Sequence, residues 1–255
     1  MTDTLRTDPA ARGTLTARLA GEAAEVRAAQ ALRHRRFIDA RGLPPRPDGL
    51  DADAHDPHCR HLLVEDADRR LLATARLRVF ADGRGLSGSY AAATHDLARL
   101  ARFPSPLLEL GRFCVREGAP EAVALRAAWG LLVSIVEAEG VRLLFGCSSF
   151  VGADPTPHRP AFALLGRDHL APDAWSPGRG AAESLDLAAI EAPPDRLAAL
   201  RAMPPLLRSY LAMGAWVGRH AVIDRSLDTI HVLTAVEIAR VPPARVRALK
   251  ALGPG

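Results

Sequence analysis

The chain has 255 residues, 48% of them hydrophobic, which is enough to build a sizeable core within one α/β domain. Its formal net charge is only +4, and it has no dense basic run and few aromatic residues, so we expect no nucleic-acid binding. No apolar run approaches the length that spans a bilayer, and the N-terminus lacks the apolar core of a signal peptide. We therefore expect a cytoplasmic protein.

The first forty residues predict a short leading segment and one long helix. Residues 1–20 indicate a tail or an opening strand, and we place the domain, with a C-terminal extension, at 21–255. The stretch from Glu22 to Ala40 is rich in alanine and arginine and predicts a helix. Gly42 suits the C-terminal cap of this helix.

A loop and a hairpin come next. Residues 43–56 are rich in Pro, Gly and Asp but lack the glycine and terminal glutamate of a calcium loop. They form either a solvated acidic loop or a loop that receives a cation. The segments 61–66 and 71–79 predict an antiparallel hairpin. Arg76, inside its second strand, lies either at an edge or facing a cleft.

The central segment predicts a strand, a helix and a second strand. Residues 108–115 indicate a buried strand, residues 121–137 a helix with Pro120 near its first turn, and residues 141–147 another buried strand. Such an order is typical of a crossover unit whose two strands lie side by side.

The first of these strands contains two charged residues, Glu109 and Arg112, among apolar neighbours. Burying a charge without a partner is costly, so the two either form an ion pair or belong to a functional site. Their spacing of three would place them on opposite faces of a regular strand. A bulge at Gly111 would bring both to one face.

The chain contains three cysteines, and its last third predicts further helices and strands. The three cysteines have no metal-ligand or disulfide spacing, so we expect reduced core thiols and no metal site. Later elements are predicted as a helix over 161–166, a helix over 205–213 capped by Gly214, and two strands, one over 215–217 with 222–223 and one over 229–236.

Several motifs, in their order and spacing, carry a family resemblance from about Leu32 to about Val236. They are Arg33 to Phe37, Asp53 to Asp56, Cys59 to Val64, Ala75 to Leu77, Leu108 to Val115, Leu144 to Phe150, Gly152 to Pro155, His169 to Pro172 and Pro205 to Val217. Together they resemble the ornithine–acyl-ACP N-acyltransferase family, which is related to the acyl-homoserine-lactone synthases within the GNAT superfamily.

The resemblance implies an α/β fold of the GNAT acyltransferase type. Its central mixed, mostly antiparallel twisted sheet is flanked by helices, and its central strands splay to admit a pantetheine arm. It implies a set of site residues: Glu109 and Arg112 as catalytic; Arg33, Phe37, Asp53, Asp56 and Arg76 as substrate-binding; and Phe113, Cys114, Val115, Cys147, Ser148 and Ser149 along the acyl and pantetheine cleft.

The implied activity is transfer of a 3-hydroxyacyl group from acyl carrier protein to the α-amino group of an amino acid, foremost L-ornithine, with no cofactor. The acetyl-CoA loop is missing near Arg116 to Pro120, which favours a carrier-protein donor. Because the product is a lyso-lipid, we expect at least transient contact with the inner face of the membrane.

Two other functions are compatible with the same resemblance. One is signal synthesis from S-adenosylmethionine. The synthases have a tryptophan after the first helix, and this chain has Gly42-Leu43 in that place, which argues against this alternative. The other is non-catalytic binding of an acyl group or carrier, since fold alone does not establish activity. Retention of both Glu109 and Arg112 argues against this last alternative.

Overall fold

The computed structural model describes residues 15–191 and 195–251. Its strands are β1 (Thr16–Leu19), β2 (Arg60–Glu65), β3 (Leu71–Phe80), β4 (His95–Asp96), β5 (Leu107–Val115), β6 (Leu143–Val151), β7 (Gly178–Arg179), β8 (Ser184–Asp186), β9 (Trp216–Asp224) and β10 (Thr229–Glu237). Its helices are α1 (Ala23–Phe37), α2 (Glu121–Ala138), α3 (Arg159–Asp168), α4 (Arg196–Ala202), α5 (Pro205–Leu211) and α6 (Pro243–Lys250).

Eight strands form one sheet in the order β1-β2-β3-β5-β6-β10-β9-β8, and β4 pairs with β7 separately. All neighbours in the large sheet are antiparallel except β5 and β6, which are parallel and joined by α2. This confirms the predicted crossover unit and the mixed, mostly antiparallel sheet.

The two parallel strands separate after a short contact. Their pairing covers only Leu107–Glu109 against residues 143–145, although both strands continue for several residues beyond. At the point of separation, a Cβ on Gly146 would lie 2.1 Å from the carbonyl oxygen of Leu110, so only glycine fits. The splayed central strands are thereby confirmed.

Alternation along β5 divides the core between the two faces of the sheet. Leu108 and Leu110 pack with α2 and with Tyr210 of α5 on one face. Leu107 faces the opposite side and packs with residues of the irregular segment 81–106. Glu109 has the same parity as Leu107, so it points to that second face, on which α1 also lies against β3 and β5.

β5 has an irregularity where the sequence predicted one. Thr74 of β3 pairs with Cys114 and Arg76 with Gly111, so two residues of β5 lie opposite one of β3. The left-handed residue of this bulge is Arg112, with φ of 53°, rather than the neighbouring glycine. A non-glycine residue in this region costs on the order of 1 kcal/mol or more.

Other element boundaries differ in detail from the predictions. Thr16–Leu19 is an edge strand, so a tail cannot extend to residue 20; residues 1–14 of that predicted tail lie outside the described residues. The strand predicted over 215–217 with 222–223 is β9, which runs without a break over Trp216–Asp224. α6, in the predicted C-terminal extension, is tied to α2 by Lys250, whose Nζ lies 2.6 Å from Oε1 of Glu137.

Candidate active site

A cavity of about 200 Å³ lies where β5 and β6 separate. On the α1 face of the sheet its walls include Phe37, Arg76 and Tyr90, and on the α2 face they include Phe113 and Pro205. The cavity therefore reaches both faces through the gap between the strands, which lets two molecules meet from opposite sides.

Glu109 lies at this gap with its carboxylate held by backbone. Its side chain is buried, and its two oxygens accept N–H bonds from Ala91 at 2.9 Å and from Tyr90 at 3.0 Å. Burial raises the pKa of this carboxyl, and the two N–H bonds oppose that rise. Among the described residues no cationic side chain lies within ion-pair distance of it, so the alternative of a direct Glu109–Arg112 pair is wrong.

Arg112 has other partners. Its Nε donates to Oδ2 of Asp51 at 3.1 Å, and its Nη1 donates to the hydroxyl of Tyr90 at 3.2 Å. The guanidinium lies 4.8 Å from the ring centroid of Tyr90 and 5.8 Å from that of Phe37. Burial alone would lower the pKa of Arg112, but Tyr90 and Asp51 outweigh burial and raise it.

The predicted acidic loop is folded into this site. Asp51 is only 1% exposed, so the alternative of a solvated loop is wrong. Arg33, which is fully buried, donates Nε to Asp51 at 3.1 Å and binds both oxygens of Asp56 at 2.8 and 2.9 Å. Nη1 of Arg76 lies 2.5 Å from Oδ1 of Asp53. The cations that this loop receives are therefore the protein's own arginines.

These ion pairs set the pKa values of two carboxyl groups. Burial would raise the pKa of Asp56, but the hydrogen bonds and charge of Arg33 outweigh it and lower that pKa to about 2. Burial would also raise the pKa of Asp53, but the charge of Arg76 outweighs burial and lowers that pKa below its ordinary value. Both groups are ionised at neutral pH.

The structure brings most, but not all, of the predicted site residues to the cavity. Those that line it are Phe37, Arg76, Glu109, Arg112, Phe113, Cys147, Ser148 and Ser149. Arg33, Asp53 and Asp56 lie behind this lining, in the ion-pair network. Cys114 and Val115 do not line the cavity, and burial raises the pKa of the Cys114 thiol to about 12.

Several lining residues escaped the sequence analysis. They include Tyr90, Arg41, Asp224 and His231, which come from loops, a short helical turn and strands far apart in the chain. None belongs to a spacing motif, and only the long-range folding of the chain places them together. Arg41 and Asp224 also lack an oppositely charged side chain within ion-pair distance among the described residues, whereas Arg76 and Arg112 of the same lining are paired.

A groove on the α2 face adjoins the cavity and shares Glu121 and Pro205 with it. Its walls include three exposed arginines, Arg126 of α2, Arg208 of α5 and Arg245 of α6. This side of the gap is therefore basic and open, in contrast to the buried, charge-paired network on the α1 face.

A splayed parallel strand pair, with a buried carboxylate on one face and a basic groove on the other, defines an acyltransferase of the GNAT type. Residues 32–129 match the family model described as the acetyltransferase (GNAT) domain. Two solved structures share the fold. One is a CoA-dependent acyl-homoserine lactone synthase, BjaI, with a TM-score of 0.51, 13% identity, and coverage of 95% of this chain and 91% of that chain. The other is TofI, with a TM-score of 0.50, 17% identity, and coverage of 94% and 99%.

Curated relatives are closer in sequence. The L-ornithine N(alpha)-acyltransferase of Rhodobacter capsulatus is 36% identical over 230 residues, covering 86% of this chain and 88% of the relative. The protein of the same name from Brucella abortus is 33% identical over 245 residues, covering 90% and 86%. The chain belongs to the L-ornithine N(alpha)-acyltransferase family.

Proposed function

We propose that this protein transfers a 3-hydroxyacyl group from acyl carrier protein to the α-amino group of L-ornithine, giving the lyso form of an ornithine lipid. The observation that carries this proposal is the 36% identity to the Rhodobacter capsulatus enzyme over most of both chains. The geometry supports it with separate surfaces for an amino acid and for an acyl donor on the two sides of the gap.

The acceptor occupies the α1 side of the cavity. Arg41 is half-buried, lines the cavity and has no carboxylate partner among the described residues. Its Nη1 donates to the carbonyl oxygen of Leu227 at 2.6 Å, and its remaining N–H groups bind the α-carboxylate of an amino acid. Asp224, which also lines the cavity without a cationic partner among the described residues, binds the side-chain ammonium of ornithine. Arg33, Asp53 and Asp56 act from behind, by holding Arg76 and the loop in place.

Glu109 accepts the proton of the α-ammonium, directly or through a water molecule, because an amine is a nucleophile only when deprotonated. Its raised pKa suits this task. The amine nitrogen then attacks the thioester carbonyl carbon, the carbon–sulfur bond breaks, and the released pantetheine thiolate takes up a proton. We assign the transient oxyanion to backbone N–H groups at the bulge beside Arg112.

The donor approaches from the α2 face. Acyl carrier proteins are acidic, and Arg126, Arg208 and Arg245 surround the groove that leads to the gap. The pantetheine arm passes from this groove between β5 and β6. No helix among the described residues is long and apolar enough to cross a membrane. Because the product is a lipid, we propose that the protein contacts the membrane transiently through its surface.

The test is an assay of the purified full-length chain with 3-hydroxyacyl carrier protein. Release of the carrier thiol should depend on L-ornithine, and mass spectrometry should find the acyl group on its α-nitrogen. Lysine, glutamine, glycine and S-adenosylmethionine serve as competing acceptors. A lactone product from S-adenosylmethionine would replace this proposal by signal synthesis, and absence of thiol release with every acceptor would favour a non-catalytic binding protein.

A further inference from the structure

A second cluster of reactive side chains lies beside the cavity and has no part in the proposed reaction. It consists of His95 of β4, Cys147 of β6 and His231 of β10. One nitrogen of each imidazole and the sulfur of the cysteine all lie within 4.8 Å of one another. The two imidazole rings are tilted by 57° with their centroids 5.4 Å apart.

The imidazoles of this cluster lack the hydrogen bonds that buried rings usually make. His95 and His231 are each only 3% exposed. Nε2 of His95 and both ring nitrogens of His231 have no hydrogen-bond partner among the described residues. Nδ1 of His95 lies 3.1 Å from the hydroxyl of Thr94, which fixes that ring and leaves Nε2 available.

The protonation states of the rings also suit metal binding. Burial lowers the pKa of His95 to about 3 and that of His231 to about 4, so both are neutral at pH 7. Neutral imidazole is the form that binds metal ions. Burial raises the pKa of the Cys147 thiol, and a bound cation would displace its proton to solvent.

We propose that His95, Cys147 and His231 bind one zinc-type divalent ion through two nitrogens and one sulfur. Zinc bonds of about 2.0 Å to nitrogen and about 2.3 Å to sulfur place tetrahedral ligand atoms roughly 3.5 Å apart. Side-chain rotations that bring ligand atoms now within 4.8 Å of one another to that separation therefore close the site. Cys147 and His231 also line the cavity, so the ion would lie at its wall.

The ion would join β4 to the large sheet, in which β6 and β10 already pair with each other over nine residues. β4 pairs only with the two-residue strand β7, while β6 and β10 are interior strands of the large sheet. The segment that contains His95 also supplies the N–H groups of Tyr90 and Ala91 that hold Glu109. A metal ion at this position would fix that segment against the sheet and so stabilise the position of Glu109.

Metal binding by the full-length chain tests this proposal without an activity assay. The protein is stripped with a chelator and titrated with Zn²⁺ and, separately, with Co²⁺. We expect one equivalent of Zn²⁺ per chain, a rise in the melting temperature, and a Co²⁺ spectrum with a thiolate-to-cobalt charge-transfer band. Cys147→Ser should abolish that band, and His231→Gln should weaken binding by on the order of 10-fold or more.

Two variants serve as matched controls outside the cluster. Cys114→Ser removes a buried cysteine and His169→Gln removes a half-buried histidine, and both variants should bind like the wild type. X-ray absorption of the zinc-loaded wild type requires no variant, so misfolding of a variant cannot affect the result. It should show one sulfur atom bound to the zinc ion. A shell of nitrogen and oxygen alone, an unchanged Co²⁺ band in Cys147→Ser, or no binding by the wild type would overturn the proposal.

Discussion

Nε of Arg112 lies 3.1 Å from Oδ2 of Asp51, a residue 61 positions earlier in the chain, and not beside Glu109 three positions earlier. The bulge accounts for this choice, because Arg112 adopts a left-handed backbone conformation that turns its side chain toward the loop. Glu109 is left to accept two backbone N–H bonds. The two charges of the strand are thus independent, and each can be tested without removing the partner of the other.

Replacing Glu109 by glutamine keeps the shape of the side chain and removes the proposed base. We expect turnover to fall by on the order of 10²-fold or more, the usual scale for loss of a general base. Higher pH supplies free amine and should partly restore activity. Turnover and thermal melting are measured on the same preparation, so that lost activity is separated from lost folding.

Glu65→Gln is the matched control for this variant. Glu65 is also a buried glutamate on a strand, but both of its oxygens accept from Arg18, at 2.8 and 2.9 Å, and it does not line the cavity. Its replacement should affect melting more than turnover. Near-normal turnover per folded molecule in Glu109→Gln would rule out Glu109 as the base.

Asp224→Asn tests the acceptor pocket. Oδ1 of Asp224 accepts N–H bonds from Ser226 at 2.9 Å and Leu227 at 3.2 Å, and an asparagine oxygen can keep both bonds. The substitution therefore removes the charge while the turn is retained. We expect the KM for ornithine to rise by on the order of 10-fold, since a charged hydrogen bond contributes roughly 1.5–3 kcal/mol.

Comparing ornithine with glutamine as the acceptor makes this test specific for the side-chain ammonium. Glutamine has no side-chain ammonium, so its use should change little in Asp224→Asn and the preference for ornithine should shrink. Asp53→Asn is the comparison, because Asp53 lies behind the cavity lining with Arg76. A loss of ornithine preference in Asp53→Asn but not in Asp224→Asn would move the ammonium site to the loop.

The sequence predicted those helices and strands whose residue pattern lies within one continuous segment. α2 was expected at 121–137 and extends over Glu121–Ala138, because its apolar pattern, its proline and its length are all local features. The parallel strand pair followed from the same segment. The family resemblance located Glu109 and Arg112 at the cavity, although the residues alone did not settle their pairing.

Contacts between residues far apart in the chain could not be predicted in this way. Asp51 was placed in a solvated loop or a cation-receiving loop, and only the folded chain shows it buried between Arg33 and Arg112. His95 and His231 come from strands that meet only in the fold, with no metal-ligand spacing between them in the sequence. Such sites depend on tertiary contacts, for which neither periodicity nor motif spacing gives a signal.

Asp56→Asn tests the stability of the ion-pair network and its pH dependence. The folded-state pKa of about 2 lies below the ordinary value of 3.8, so ionised Asp56 stabilises the fold above about pH 4. This shift corresponds to about 2 kcal/mol, which is lost as the pH falls toward 2. The variant also leaves Arg33 buried with fewer partners, so we expect a total loss of about 3 kcal/mol or more at neutral pH.

Urea unfolding at several pH values provides the measurement. The difference in unfolding free energy between wild type and Asp56→Asn should shrink as the pH is lowered from 5 toward 2. Asp168→Asn is the control, because Asp168 pairs with Arg167 at the exposed end of α3 and should matter little. A constant difference across the pH range would show that the charge of Asp56 contributes nothing to stability.

Charge reversal in the groove tests the proposed donor. Arg126→Glu, Arg208→Glu and Arg245→Glu each place a negative charge where an acidic carrier would dock. We expect each to raise the KM for acyl carrier protein severalfold, and the three together by on the order of 10-fold or more. Wild-type activity with the carrier should weaken as salt is added, since exposed charges are screened.

Acyl-pantetheine, which has no carrier surface, separates docking from chemistry. Turnover of this small donor should be the same in wild type and in the groove variants. Arg84→Glu is the matched control, because Arg84 is also exposed but lies on the segment between β3 and β5, away from the groove. Equal losses with both donors, or an equal loss in Arg84→Glu, would mean that the groove does not receive the carrier. Salt-insensitive turnover of acyl-CoA at the rate of the carrier substrate would point instead to a coenzyme A donor.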